Sequence, residues 1–212
     1  MDWGALMSRV RLRFAKGGNL SFIGHLDFLR VFQQTIRRAE LPAAYSLGFN
    51  PHLHLSFALP LPLGMESVND YADLTLEKTL PEEEILESLN THAPRGLKIH
   101  AVYPVENKAA SIVSIAEYRL LVSSDIKKNV QTLLDSAEIK IMKKTKSGIK
   151  ETDIRPDIIK LTAEQDKVSM FLSAGSSRFL HPMTVAELIL GEKPSPADIC
   201  RVELFTAELK PL

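Results

Sequence analysis

Residues 9 to 15, RVRLRFA, alternate without a break between cationic and apolar side chains, with Val10, Leu12 and Phe14 on one side and Arg9, Arg11 and Arg13 on the other. An extended strand with one buried face sorts a seven-residue run in this way, whereas a helix would scatter the same residues around its circumference. A half-buried strand needs partners and a cover, so the chain must build a sheet with something packed on one side of it. The cover follows at once. Beyond the KGGN turn, Leu26, Leu29, Phe32 and Ile36 recur at helical spacing in FIGHLDFLRVFQQTIRRAEL, while Asp27, Arg30, Gln34, Arg37 and Arg38 fill the opposite arc. Gly24 suits the cap, and Asp27 in the first turn suits the helix dipole.

The run GFNPHLHLSFALPLPLG, residues 48 to 64, places Leu53, Leu55, Phe57 and Leu59 on one face of a second strand and His54, Ser56 and Ala58 on the other. Pro60 and Pro62 stop that strand from pairing further. YADLTLE points Ala72, Leu74 and Leu76 inward and Tyr71, Asp73, Thr75 and Glu77 outward as a third strand. PEEEILESLNTHAP predicts a helix with Pro81 at its start, acids in the first turn and Ile85, Leu86 and Leu89 inward. GLKIHAVYP adds a fourth strand. The order strand, helix, strand, strand, helix, strand over residues 8–105 is the split βαβ pattern of a ferredoxin-like domain. Residues 104 to 111, PVENKAAS, read as a linker. With residues 138–154 set aside, the same six elements recur over 112–210, from EYRLLV to CRVELFTAE. The expected fold is therefore α+β, two tandem ferredoxin-like domains with antiparallel sheets, the second carrying an inserted basic hairpin at 138–154.

The charges exclude some functions. Twenty-six basic and 26 acidic residues give no net field to draw the chain to nucleic acid or to an anionic membrane, so any electrostatic role rests on local segregation. That segregation is strongest in the inserted hairpin, where Lys140, Lys143, Lys144, Lys146 and Lys150 occur with no acid between Glu138 and Glu151. A charge run is most often a solvated face, but one carried on a protruding turn through Ser147 and Gly148 can reach a phosphate backbone. The row of Arg9, Arg11 and Arg13 leaves two readings open: a binding surface on an open sheet face, or a charge ladder against Asp73 and Glu77 of a neighbouring third strand.

Catalytic and metal signatures are sparse. The lone Cys200 forms no internal disulfide and supplies no set of thiolates for zinc or an iron–sulfur cluster, and a reducing cytoplasm suits it. No apolar run of membrane-spanning length and no secretory leader is present, so a cytoplasmic location without a membrane partner is expected. His52 and His54 share a strand face as metal ligands can, with His25 and Asp27 as further donors, but two imidazoles do not make a site, and neither a metal nor a cofactor is expected. KGGN and AGSS are glycine turns rather than phosphate-binding or dinucleotide fingerprints.

The stretch KGGNLSFIGHLDFLRVFQQTIRRAELPAAYSLGFNPHLHLSFALPLPLGMES, residues 16 to 67, together with ETDIRP at 151 to 156, resembles the bacterial radical-SAM-linked proteins, a family of unknown function found free-standing or fused behind a radical SAM protein. That resemblance implies a radical SAM partner, since the cysteine triad of such enzymes is absent here. It also implies a binding surface made of His25, Asp27, Arg30, Arg37, Arg38, Tyr45, Gly48, Phe49, Asn50, Pro51, His52, Asp153 and Arg155, with Pro156 beside them. The chain departs from the family pattern at His54, where a basic residue is more usual, and at His181, where an arginine is expected. The two-domain plan and the GHLD helix start are also similar to CRISPR repeat-processing endoribonucleases, which would make His25 a general acid or base with Arg30 or Lys16 stabilising phosphate charge, although their glycine-rich C-terminal segment is missing.

Taken together, these readings predict a non-catalytic accessory protein that binds RNA, or an RNA-linked substrate, for a radical SAM partner. It would do so through the GHLD and GFNPH surface, where His52 is expected to hydrogen-bond near the helix start, and through the lysine arm. A metal-independent endoribonuclease using His25, and a module that binds only protein, are the alternatives. Oligomeric state has no signature in the chain.

Overall fold

The computed structural model of the chain describes residues 7–123, 126–145 and 148–212. Its elements run β1 (Ser8–Lys16), α1 (His25–Arg38), β2 (Leu55–Phe57), β3 (Glu66–Leu76), α2 (Glu82–His92), β4 (Leu97–Pro104), α3 (Ala109–Ile112), β5 (Ile115–Leu121), α4 (Lys127–Asp135), β6 (Lys140–Thr145), β7 (Gly148–Asp153), β8 (Ile158–Ala163), β9 (Lys167–Ser173), α5 (Pro182–Leu190) and β10 (Ile199–Phe205). Among the described residues this is a mixed α+β fold with five α-helices and a mostly antiparallel sheet. The alternation of residues 9 to 15 does what it demands: Val10, Leu12 and Phe14 pack with Phe28, Phe32 and Ile36 of α1 and Ile85 and Leu89 of α2. Phe14 lies edge-on to Phe32 at 5.0 Å and to Phe57 of β2 at 5.8 Å, so strand, helix and edge strand are joined through one aromatic cluster.

Eight strands form a single sheet, in the order β4-β1-β3-β10-β5-β9-β8, with β2 also on β3. Each half of the chain shows the same local order, the fourth strand beside the first, then the third, then the second: β4-β1-β3-β2 before residue 105 and β10-β5-β9-β8 after it. The expected neighbours meet in register, with Arg9 opposite Thr75, Arg11 opposite Asp73 and Arg13 opposite Tyr71. The halves are joined by a short parallel contact, Cys200 beside Glu66 and Arg201 beside Ser67. A second core, around Tyr118, Val168, Met170, Val185, Ile189 and Leu204, fills the C-terminal half.

The seam between the halves depends on the two prolines. One edge of β3 is shared end to end: β2 pairs with Ala72 to Leu74, and β10 pairs with Glu66 and Ser67. Residues 58 to 65 fill the gap, and there Pro60 and Pro62 have no N–H to give a ladder, leaving carbonyls that need donors. Arg201 supplies them. Its guanidinium, with 0% exposure, donates to Leu59 O (2.9 Å) and Pro60 O (3.2 Å) and grips Asp70 of β3 at 2.6 and 2.7 Å. Lys16 reaches the same region from β1; its ammonium donates to Ile23 O (3.3 Å) and sits 4.6 Å above the Phe28 ring. Burial lowers the pKa of Lys16, a shift opposed by the charge of Asp70 and aided by that of Arg201.

Several details depart from the sequence expectation, each for a visible reason. The second strand keeps only Leu55–Phe57: His54 N turns to Ala44 O of the preceding loop, and past Ala58, whose N–H still donates to Tyr71 O of β3, the prolines end the pairing. The third begins at Glu66, five residues early, where Lys16 of β1 pairs with Ser67 on one side and β10 pairs with Glu66 and Ser67 on the other. The arginine row lies on neither an open face nor a solvated ladder. Arg11 and Asp73 are buried as an ion pair at 2.8 Å, Arg11 also donates to Asn107 O (2.6 Å), and Asp73 accepts from Ala109 N (2.5 Å). Arg9 donates to Glu106 O (2.6 Å). Residues 105 to 112 are thus not a free linker but a strap docked across the sheet, ending in the short helix α3 with Ala109 buried.

Replacing Asp70 with Asn should cost about 3–5 kcal/mol, because it leaves the buried Arg201 charge without its counter-ion. Urea unfolding of wild type and variant measures this directly; a loss below about 1 kcal/mol would show that the seam does not depend on the pair.

Candidate functional site

The GHLD segment opens α1 with Gly24 at the cap in extended geometry and no side-chain cap bond. His25, Leu26, Asp27 and Arg30 are all exposed. Arg30 pairs with Asp27 at 2.7 Å one helical turn away, an exposed contact of small stabilising value. Arg37 and Arg38 close the last turn, roughly 18–20 Å along the helix from His25, where their charge complements the dipole.

His25 turns its ring edge to Phe57 at 5.5 Å and shares a cleft with Lys16, Phe57 and Asp70. The structure therefore does bring Lys16 and His25 together, as the endoribonuclease reading requires. The cleft holds only about 10 Å³, however, less than a single water needs comfortably and far less than a phosphodiester, and Arg30 is engaged elsewhere.

The YSLGFNPH segment forms a projecting loop. Tyr45 bridges to Leu53, and the neck closes just outside them: Ser46 N donates to His52 O (2.8 Å), and His52 N donates to Ser46 Oγ (2.9 Å). Gly48 has φ 124°, which favours glycine there. Beyond the neck, Leu47, Gly48, Phe49, Asn50 and Pro51 are all exposed, and Leu47 and Phe49 are fully so, at 101% and 112%. His52 staples this loop through its backbone and makes no bond to the start of α1; Phe57 meets His25 instead.

Asp153 and Arg155 lie in the other half, at the base of the β6/β7 hairpin. Asp153 Oδ1 accepts from Ile139 N (2.8 Å) and Arg155 N (3.0 Å), and these bonds hold its carboxyl below the usual carboxylate range. Arg155 donates to Leu134 O near the end of α4 and to Ile158 O, both at 3.2 Å. The pair clamps the arm to its half of the fold, and Pro156 begins the turn that follows. In the arm itself, Lys140 meets Glu138 at 3.1 Å and Glu151 at 4.0 Å, and Lys143 donates to Phe179 O (3.4 Å) while standing across the ladder from Lys150. Lys146 and the side chain of Lys144 lie outside the described residues.

A family model for an uncharacterized protein conserved in bacteria, DUF2344, matches residues 9–182. The chain belongs to that family. No curated protein matches it. Among solved structures, it is similar to an unknown protein from Galdieria sulphuraria, at 9% identity over 87% of this chain and 88% of the other, with a TM-score of 0.29, a likeness too slight to carry an argument. Among the described residues of this DUF2344 chain, no three His, Cys, Asp or Glu side chains converge to hold a metal ion, and no helix is long and apolar enough to cross a membrane.

The residues that sequence reasoning missed are Lys16, Asp70 and Arg201 as one buried group; an unusual signal was available only in the charge of Asp70 and Arg201 within otherwise strand-like runs. His181, by contrast, has a local role. Its ring accepts from Met183 N (3.3 Å) and caps α5, and burial lowers its pKa, as it does for His100. Protonation is thus disfavoured in the fold, and the stability that neutral His181 contributes is complete above about pH 6.5 and lost as pH falls from there toward the lowered folded value. His181→Asn, which keeps an acceptor at the cap and does not titrate, should flatten part of the stability loss between pH 7 and 5. Urea midpoints at the two pH values read the difference, and an unchanged slope would remove His181 from the account.

Proposed function

We propose that this chain is a non-catalytic accessory protein that docks onto a radical SAM enzyme through its projecting loop. The observation that carries this reading is the loop tip. Exposing Leu47 and Phe49 completely, on a turn closed by two hydrogen bonds at its neck, places apolar surface in water with nothing of this chain to cover it among the described residues. A stapled aromatic and aliphatic pair is the kind of anchor that fills a pocket on a partner protein. The resemblance in GHLD, GFNPH and DIRP supplies the kind of partner.

In this reading the scaffold consists of two ferredoxin-like units, residues 8–105 and 112–210, which the repeated fourth-first-third-second strand order supports. The free thiol of Cys200 fits the reducing cytoplasm in which such a partner works. A second reading, RNA contact through the arm, has one observation in its favour: Lys143 and Lys150 face each other across the hairpin, a like-charge pair that a polyanion would relieve.

Leu47→Asp with Phe49→Asp should leave unfolding within about 0.5 kcal/mol of wild type, since both side chains are exposed. The same double variant should abolish co-elution with the radical SAM protein that wild type binds when the radical SAM proteins of the source bacterium are tried one by one. Wild type that binds none of them, or a variant that binds undiminished, would end the docking reading. For the arm, log affinity for single-stranded RNA should fall against log salt with a slope of about 3.5 if five lysines neutralise phosphates, and no binding at low salt would dismiss it.

A further inference from the structure

The face of the sheet turned away from α1 and α2 is not wholly covered by the strap at 105 to 112. Where β2 begins and the strap crosses β1, a pocket of about 370 Å³ remains, within the range of small-molecule sites. It collects nitrogen-donor side chains from three separate segments: the charged Arg9 of β1 and Lys108 of the strap, and the imidazole of His54 just before β2. The hydroxyl-bearing residues Ser56 and Thr75 complete its polar lining.

The charge balance there is one-sided. Arg9 donates to the carbonyl of Glu106, which uses part of its donor set and neutralises none of its charge. The side chains of Lys108, His54, Ser56 and Thr75 have no partner among the described residues. Asp73 is the acid in the lining, and its carboxylate is already committed: Arg11 Nε lies 2.8 Å from one oxygen, and Ala109 N donates to the other at 2.5 Å. Some surface cations are met by acids among the described residues, as in Arg30 with Asp27, Lys167 with Glu164 and Arg178 with Asp157, and others such as Arg37 and Lys128 are not; what sets this site apart is that its basic side chains line one cavity. A concave site with unpaired positive charge focuses its field into the cavity, where an anion is attracted more strongly than on an open surface.

We propose that this pocket binds the phosphate group of a phosphorylated ligand. Three donors on three segments suit the several oxygens of a phosphate better than one planar carboxylate, Arg9 offers a fork and Lys108 a point charge, and the two hydroxyls complete the polar lining. The volume leaves room for the body that carries the phosphate. The site is independent of the projecting loop, so it stands or falls separately from the docking reading.

The test is calorimetry of the full chain with inorganic phosphate, adenosine 5′-monophosphate and adenosine. Wild type should bind the monophosphate and phosphate saturably and adenosine not at all. Arg9→Gln or Lys108→Gln should weaken the monophosphate about tenfold, the loss expected for one charge-assisted contact. Replacing Lys140, Lys143 and Lys150 with Gln should leave it unchanged. A 5′-phosphorylated oligoribonucleotide that binds more tightly than its 5′-hydroxyl twin would assign the phosphate to an RNA end, and equal binding of the two would assign it to a free small molecule. No saturation by either phosphate probe up to about 1 mM, or equal affinity in wild type and both variants, overturns the site.

Discussion

The guanidinium of Arg201 holds the molecule together where its backbone cannot. Along the shared edge of β3, β2 has ended and β10 has barely begun, and between them runs a proline-broken segment with acceptors and few donors. Arg201 closes the gap from the C-terminal half, bonding Leu59 O and Pro60 O while its charge is met by Asp70. Burying this pair is not a source of large net stability, because desolvating both ions offsets most of their attraction. Its value lies in specificity. A hydrophobic residue could fill the space, but it would leave two carbonyls unbonded and would not select the parallel register of Arg201 beside Ser67.

The same logic repeats on the far side of the sheet. Arg11 and Asp73 are adjacent across β1 and β3, and together they present a donor and an acceptor to the backbone at Asn107 and Ala109. Tyr71, one step along, donates to Glu203 of β10 at 2.6 Å, and Leu204 N donates to that same carboxylate, whose pKa burial raises. Tyr103 of β4 reaches the carbonyl of Leu212. A face that could have met solvent is instead dressed by the strap and by the C-terminal residues, through polar side chains of the first half, with Glu203 of the neighbouring β10 joining the same polar row. What remains uncovered is confined to places where these elements do not reach.

Local pattern made the individual elements legible, and long-range contact decided everything the pattern missed. The helices α1 and α2 and the strands β1 and β4 could be read from periodicity because their apolar faces meet neighbours within the same half. The early start of β3 could not, since it depends on Lys16 of β1 pairing with Ser67 across a bulge and on Cys200 and Arg201, more than 130 positions away, pairing with Glu66 and Ser67 on the other side. The arginine row carried the right partner, Asp73, but the alternation of a strand says only which residues share a face, not whether another segment lies over it. For the same reason PVENKAAS looked like a linker: its docking is made largely by its carbonyls and one amide, which have no signature in side-chain chemistry. In the candidate site, the exposed loop and the basic arm were visible as sequence, while the role of His52 as a backbone staple was not, because it depends on Ser46 closing the ring.

The placement of the two projections follows from the strand order. The loop at residues 46 to 52 lies between α1 and β2, and the β6/β7 hairpin lies between α4 and β8, so each interrupts the passage from the first helix of its half to the second strand. In both halves that second strand is at an edge: β2 covers part of β3, and β8 ends the sheet. An edge strand has a free side, so the chain leading into it can be lengthened without breaking a ladder, which is not true of the central strands. The two additions differ in chemistry. One ends in Leu47 and Phe49, the other carries Lys140, Lys143 and Lys150, so corresponding places in the strand order of the two halves present an apolar projection and a basic one. A scaffold that kept its sheet and cores while diverging at these two points would change the surface it presents without changing how it folds, because neither projection contributes to a ladder of the main sheet.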